Sequence, residues 1–188
     1  YNNFMIKIKN KEHSINLIKQ MRLNSMPQEV IDKTNVEKLK QFLKNNPADE
    51  YIIRDIFSPM GKYKLVKNFD EITNYLSTID APKYSISVSF NGLDRVLLGD
   101  IYVKDNFVTL SASTSKDANH RNIYDRPEIS LSTELFDDKL WDVPGFEKLI
   151  DYINTHNLYG IVVEFAIFRN KVGTMHDNVV IIELRSDY

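Results

Sequence analysis

The sequence predicts an α+β fold with a mostly antiparallel main sheet. Three observations carry the expectation. Two β-branched and aromatic runs, 161–168 and 178–185, close the chain as a strand pair around a loop with Gly173, His176 and Asp177. Residues 84–90 alternate strictly, and Asn91-Gly92 is a turn signal behind them. The segment order is helices, a β-α unit, a β block, a polar loop, a helix and a β pair, which is an α+β order.

The elements follow in sequence. Residues 1–10 alternate loosely (Phe4, Ile6, Ile8) as a strand or a tail. Ile15, Leu17, Ile18, Met21 and Leu23 have helical spacing, with Ser14 as N-cap, and the helix ends at Asn24–Pro27 because proline disfavours helix in its predecessor. Val36, Leu39, Phe42 and Leu43 mark a second amphipathic helix, started by Thr34 or Asn35 and stopped by Asn45-Asn46-Pro47. A strand is expected over 50–57, a turn over 58–62 and a short strand over 63–67. Phe69, Ile72, Tyr75, Leu76 and Ile79 mark a third helix that ends before Pro82. Residues 96–103 pair with 107–112 across Asp105-Asn106. Residues 113–143 are polar and irregular, and a loop of that length is often functional or mobile. Phe146, Leu149, Ile150 and Ile153 mark a last helix before the closing strands.

At 188 residues the chain makes one domain or two tightly packed lobes, long enough to bury a good core. The formal net charge of −2 provides no global field to recruit nucleic acid or a membrane. With no cysteine there are no disulfides, thiol catalysis or cysteine-ligated metal, which is compatible with a cytoplasmic location. No apolar run approaches a membrane span. The chain opens on Tyr1 without Met, so residues ahead of it are expected. His13, His120, His156 and His176 lack metal-ligand spacing, and no Gly-x-Ser-x-Gly or Walker loop is present.

Each closing strand carries one carboxylate, Glu164 or Glu183, inside an otherwise apolar run. A buried carboxylate is costly unless paired, hydrogen-bonded or bound to a cation. Two on neighbouring strands can share Mg²⁺, which favours oxygen ligands and takes few from a protein. The plainer alternative is a sheet with one face in water and both acids solvated.

Taken together, the segment order resembles an ATP-grasp domain. In that family a helix and a following segment precede a strand with a phosphate-contacting base, as 17–27 precede Tyr51-Ile52-Ile53-Arg54-Asp55 here. A glycine loop and a strand-helix pair follow, similar to Ser58-Pro59-Met60-Gly61-Lys62, then 63–67 and Phe69-Asp70-Glu71-Ile72. A hinge strand like 84–90 leads into a second lobe, and the family closes with acids on its last strands, as do Val163-Glu164-Phe165 and Ile182-Glu183-Leu184-Arg185. The match runs from about residue 14 to the end and rests on co-linear order. It departs from the family at Arg54, where a lysine is usual, at a loop with one glycine, and at Arg185, where the usual residue is Asn. The resemblance implies a small nucleotide lobe over 1–83 and a larger β-rich lobe with the metal-binding strands over 84–188.

The implied activity is an ATP-dependent ligase that activates a small-molecule or peptide carboxylate as an acyl phosphate for attack by an amine. The alternative is a catalytically degenerate module that binds nucleotide or a protein partner. The implied cofactors are ATP and Mg²⁺, with Glu164 and Glu183 as metal ligands. Arg54 would fork onto phosphate, or else pair with a neighbouring acid. Lys62 and Lys64 would add phosphate cations, each a solvated lysine if read alone. Gly61 permits a close backbone approach or simply the turn, and Asp100 would orient a lysine or the ribose, or face solvent. Arg121 and Arg126 in the long loop, with Arg185, would meet the γ-phosphate or a substrate carboxylate; His120 reads as an exposed loop residue. A partner chain or a second copy is the expected source of anything the site lacks.

Overall fold

The structure is a computed structural model that describes residues 7–57, 63–89, 95–104, 107–113, 151, 155, 161–168 and 179–186, and for 95–104, 107–113, 167, 168 and 179 the backbone alone. The chain divides into two compact units. One contains residues 10–15 and 26–91, the other 1–9, 16–25 and 92–188.

The smaller unit holds a four-stranded antiparallel sheet of order β1-β4-β2-β3. Its strands are β1 (Gln28–Asp32), β2 (Tyr51–Asp55), β3 (Tyr63–Val66) and β4 (Lys83–Val88). Helices α2 (Val36–Asn45) and α3 (Phe69–Leu76) place Leu39, Phe42, Ile72 and Leu76 in one core with Ile31, Tyr51, Ile53, Val66, Tyr84 and Ile86. Asn35 caps α2 by accepting from Lys38 N, and Asn68 caps α3 by accepting from Glu71 N, each satisfying an amide the helix leaves unpaired. The loop after α2 is clamped by Tyr51, whose hydroxyl donates to Asn46 O at 2.6 Å and accepts from Ala48 N at 2.9 Å.

Two expectations are corrected here. The strand β1 is absent from the sequence reading, because its five residues carry only a short apolar signal, Val30-Ile31. Residues 84–88 of the expected 84–90 hinge strand lie in β4, which pairs with both β1 and β2, and the smaller unit runs on to Asn91.

The larger unit holds a second antiparallel sheet of order β6-β5-β7-β8. Its strands are β5 (Arg95–Lys104), β6 (Phe107–Ser113), β7 (Ile161–Phe168) and β8 (Val179–Ser186). Ile161, Val163 and Phe165 alternate inward on β7 and are fully buried. On β8, Ile182 is an extra residue: Glu164 pairs with Glu183 while Phe165 pairs with Ile181. This bulge lets both Ile181 and Leu184 be buried despite their odd spacing. Asn24 O accepts from Ile181 N, and Ser25 forms a parallel bridge with Ile181.

The first helix, α1 (Lys11–Gln20), starts earlier than its periodicity predicts. Asn10 Oδ1 accepts from His13 N at 2.9 Å as the cap, whereas Ser14 is a buried helix-interior residue and Leu23 lies past the end. α3 likewise stops at Leu76, short of Ile79. The expected 58–62 turn, residues 114–143 of the expected loop and most of the 146–153 helix lie outside the described residues, while Ser113 ends β6.

Candidate functional site

In the larger unit the strand registers bring acids into one row. Glu164 on β7 stands directly opposite Glu183 on β8 and opposite position 100 on β5. Directly opposed residues share a face of the sheet. That face is the one opposite Val163, Phe165 and Leu184, and Glu164 shares it with Ala166 and its partner Val180, both fully buried. Arg185 joins them from a diagonal position, opposite Val162. Its Nη2 lies 3.9 Å from Glu164 Oε2, with the two side chains 31% and 13% exposed. Glu164 is therefore the more enclosed partner and has a cation at hand. Among the described residues no cluster of three or more Asp, Glu, His or Cys is placed to hold a metal ion. Two carboxylates remain, Glu164 and Glu183, and that number suits Mg²⁺, which takes one or two protein carboxylates and completes its shell with water and phosphate oxygens. The donor set fits the group.

In the smaller unit Arg54 lies on the sheet face opposite the core. It pairs in register with Tyr63 on β3 and Ser85 on β4, and Ile52 on the same face pairs with Leu65 and Ser87. The result is a mixed face with one half-buried cation, two apolar positions, an aromatic and two serines. Lys64 pairs instead with Ile53 and so falls on the other face, at its exposed edge. There it lines a cavity of about 600 Å³ with Glu50, Lys67, Glu71, Asn74 and Tyr75. A small ligand on one face of this sheet can meet Arg54 or Lys64, not both.

Gly61, Lys62, Arg121 and Arg126 lie outside the described residues, and Asp100 is described through its backbone register alone. Asp100, expected to orient a lysine or the ribose or to face solvent, stands in backbone register opposite Glu164. The alternation of 84–89 also sets Ser85 and Ser87 on one face, a pair that the motifs alone do not single out.

No protein-family model and no curated protein matches the sequence. Solved structures do match, and they show that the chain has the ATP-grasp fold. One is the ADP complex of purK, N5-carboxyaminoimidazole ribonucleotide synthetase, with a TM-score of 0.63 and 11% identity over 97% of this chain and 46% of that one. A second is D-alanine-D-alanine ligase from Helicobacter pylori, with a TM-score of 0.58 and 15% identity over 95% and 51%. A third is the macrocyclase MdnC from Microcystis aeruginosa MRC, bound with precursor peptide MdnA, with a TM-score of 0.53 and 10% identity over 93% and 50%. The chain spans about half the length of each of these proteins, and at these identities the likeness is one of fold. No described helix is long and apolar enough to cross a membrane.

Proposed function

We propose that this chain is the nucleotide- and Mg²⁺-binding part of an ATP-dependent ligase that joins a small-molecule or peptide carboxylate to an amine. The observation that carries the reading is the Glu164–Glu183 pair, directly opposed across β7 and β8 of an ATP-grasp fold. The neighbours bear on the substrate class: one is a D-alanine-D-alanine ligase and one a macrocyclase bound with a precursor peptide.

In the proposed reaction a substrate carboxylate oxygen attacks the γ-phosphorus of ATP and ADP leaves, giving an acyl phosphate. The amine then attacks the acyl carbon, phosphate departs with the bonding electron pair, and the amine gives up a proton. Mg²⁺, held by Glu164 and Glu183, would neutralise phosphate charge during transfer. Arg54 is assigned to phosphate oxygens, which its fork contacts bidentately. Gly61 and Lys62 would bring backbone and a cation to the phosphates, with Lys64 as the alternative cation on the sheet's other face. Arg185, Arg121 and Arg126 would hold the transferred phosphoryl group or the substrate carboxylate, and Asp100 would orient groups beside the acids.

A second reading, nucleotide binding without turnover, is favoured by the Arg185–Glu164 pair, which commits one acid to a side-chain cation. Thermal-shift titration with ATP and Mg²⁺ tests binding, because a ligand that binds only the folded state raises its stability by about 2.7 kcal/mol at a hundredfold excess over Kd. The expected result is a magnesium-dependent upshift that Glu183→Gln and Arg54→Ala both lose. No shift at millimolar nucleotide would sink both readings. ADP release with candidate carboxylates and amines, lost in Glu183→Gln, separates ligase from silent binder.

A further inference from the structure

We infer that Arg185 serves as a built-in second cation of the acid pair, so that the site takes one divalent metal ion and not two. The inference rests on the nucleotide reading above and deepens it.

The sheet supplies the geometry. Glu164 and Glu183 face each other directly, and like charges so placed on adjacent strands repel. Arg185 sits two residues along β8 from Glu183, on the same face, and its Nη2 lies 3.9 Å from Glu164 Oε2. Diagonal neighbours on one sheet face are within reach of long side chains, so the guanidinium belongs to the same row as both acids.

Chemistry then limits the metal count. A guanidinium carries five N–H donors and no acceptor, and it stays protonated, so it cannot ligate a cation. A two-metal site needs ions about 3.5–4 Å apart that share carboxylates between them. Here the more enclosed carboxylate already faces a fixed positive charge, and a second divalent ion beside it would meet that charge at close range. The formal charges agree. Glu164 and Glu183 are two acids against one guanidinium, giving −2 + 1 = −1. Two divalent ions would leave that row at a formal +3 before any phosphate arrived. In this arrangement Arg185 keeps the charge in place without needing an ion bound from solution.

The test counts metal directly. Mn²⁺ is titrated into the chain with saturating ADP, free Mn²⁺ is read by electron paramagnetic resonance, and circular dichroism checks that each variant is folded. The expected count is one Mn²⁺ per chain in the wild type and in Arg185→Lys, and two in Arg185→Asn, whose amide oxygen can act as a ligand. Two ions in the wild type would overturn the inference while leaving the nucleotide reading intact. One ion in a folded Arg185→Asn would overturn it as well, because removal of the guanidinium would then have freed no site. Should Arg185→Asn not fold, Arg185→Lys and the wild type still decide, since two ions in either count against it. ADP binding without any Mn²⁺ defeats the inference alone; absence of both ADP and Mn²⁺ defeats the nucleotide reading with it.

Discussion

Arg22 has φ 53°, in the left-handed region where a side chain normally crowds the following carbonyl. It is there because α1 ends in a Schellman turn, with Leu23 N donating to Ile18 O and Arg22 N to Lys19 O, both at 3.1 Å. Without glycine at this position the sequence gives no stop signal before Asn24–Pro27, which is why the predicted helix ran too far. Arg22→Gly should relieve the crowding and raise the unfolding free energy by about 0.5–1 kcal/mol in urea titrations, the net of a removed left-handed penalty and a more flexible unfolded chain. A loss of stability would show that the arginine side chain contributes more than the turn geometry indicates. Asp32 offers a second test at this scale. The backbone N–H of Thr34 donates to its Oδ1 at 3.0 Å and the Thr34 hydroxyl at 2.7 Å. These bonds, the backbone one foremost, hold the carboxyl below its ordinary value of 3.8. A depressed carboxylate pKa favours the charged form in the folded state, so its contribution is present above the unfolded pKa and is lost as pH falls through the folded one. In Thr34→Val the hydroxyl bond is gone, and an NMR titration should find the Asp32 pKa moved up toward 3.8. An unchanged value would mean the backbone bond alone sets it.

Among the elements, α2 was legible almost to the residue, because it pairs an asparagine cap with apolar positions at helical spacing, while α3 was legible in its apolar spacing but ends at Leu76, short of Ile79. α3 adds a return contact, Glu71 Oε2 accepting from Lys67 N at 2.8 Å, so its start is signalled from both sides. Asn35→Ala removes the α2 cap and should cost about 1 kcal/mol of stability. The connection from α2 to β2 depends on a group that sequence patterning cannot assign. Tyr51 reads as one more strand aromatic, yet its hydroxyl closes the 46–48 loop from both the donor and the acceptor side while its ring packs edge-on against Phe42 at 6.2 Å. Tyr51→Phe keeps the ring and strands Ala48 N and Asn46 O, so it should lower stability by about 1–2 kcal/mol in a denaturant titration. A neutral result would mean that water replaces the hydroxyl. The closing strands were legible in position and in the shared face of Glu183 and Arg185. The bulge at Ile182 was not, because an unbroken Val-Val-Ile-Ile run carries no mark of which residue is extra.

At the scale of the whole molecule, the antiparallel α+β class was readable because alternation and turn signals act over a few residues. The assignment of strands to sheets was not, because it depends on pairings between segments far apart in sequence. β1 meets β4 across more than fifty residues, and nothing local in 84–90 says which sheet it will join. The outcome is two units with separately buried apolar residues. Ile53, Ile72, Tyr84 and Ile86 are among those of the first, and Ile161, Val163, Phe165 and Ile181 among those of the second. Truncating a fully buried side chain removes its burial free energy and leaves a cavity, so Ile72→Ala should cost about 2–5 kcal/mol and Phe165→Ala about 3–5 kcal/mol. Where each loss is felt is the informative part. Local opening is confined to cooperative units, and amide exchange reports the free energy of the unit that opens. Ile72→Ala should therefore speed exchange in β1–β4 with little change in β5–β8, and Phe165→Ala should do the reverse. Equal acceleration in both sheets for either variant would mean that the chain opens as a single cooperative body, with its two cores energetically one.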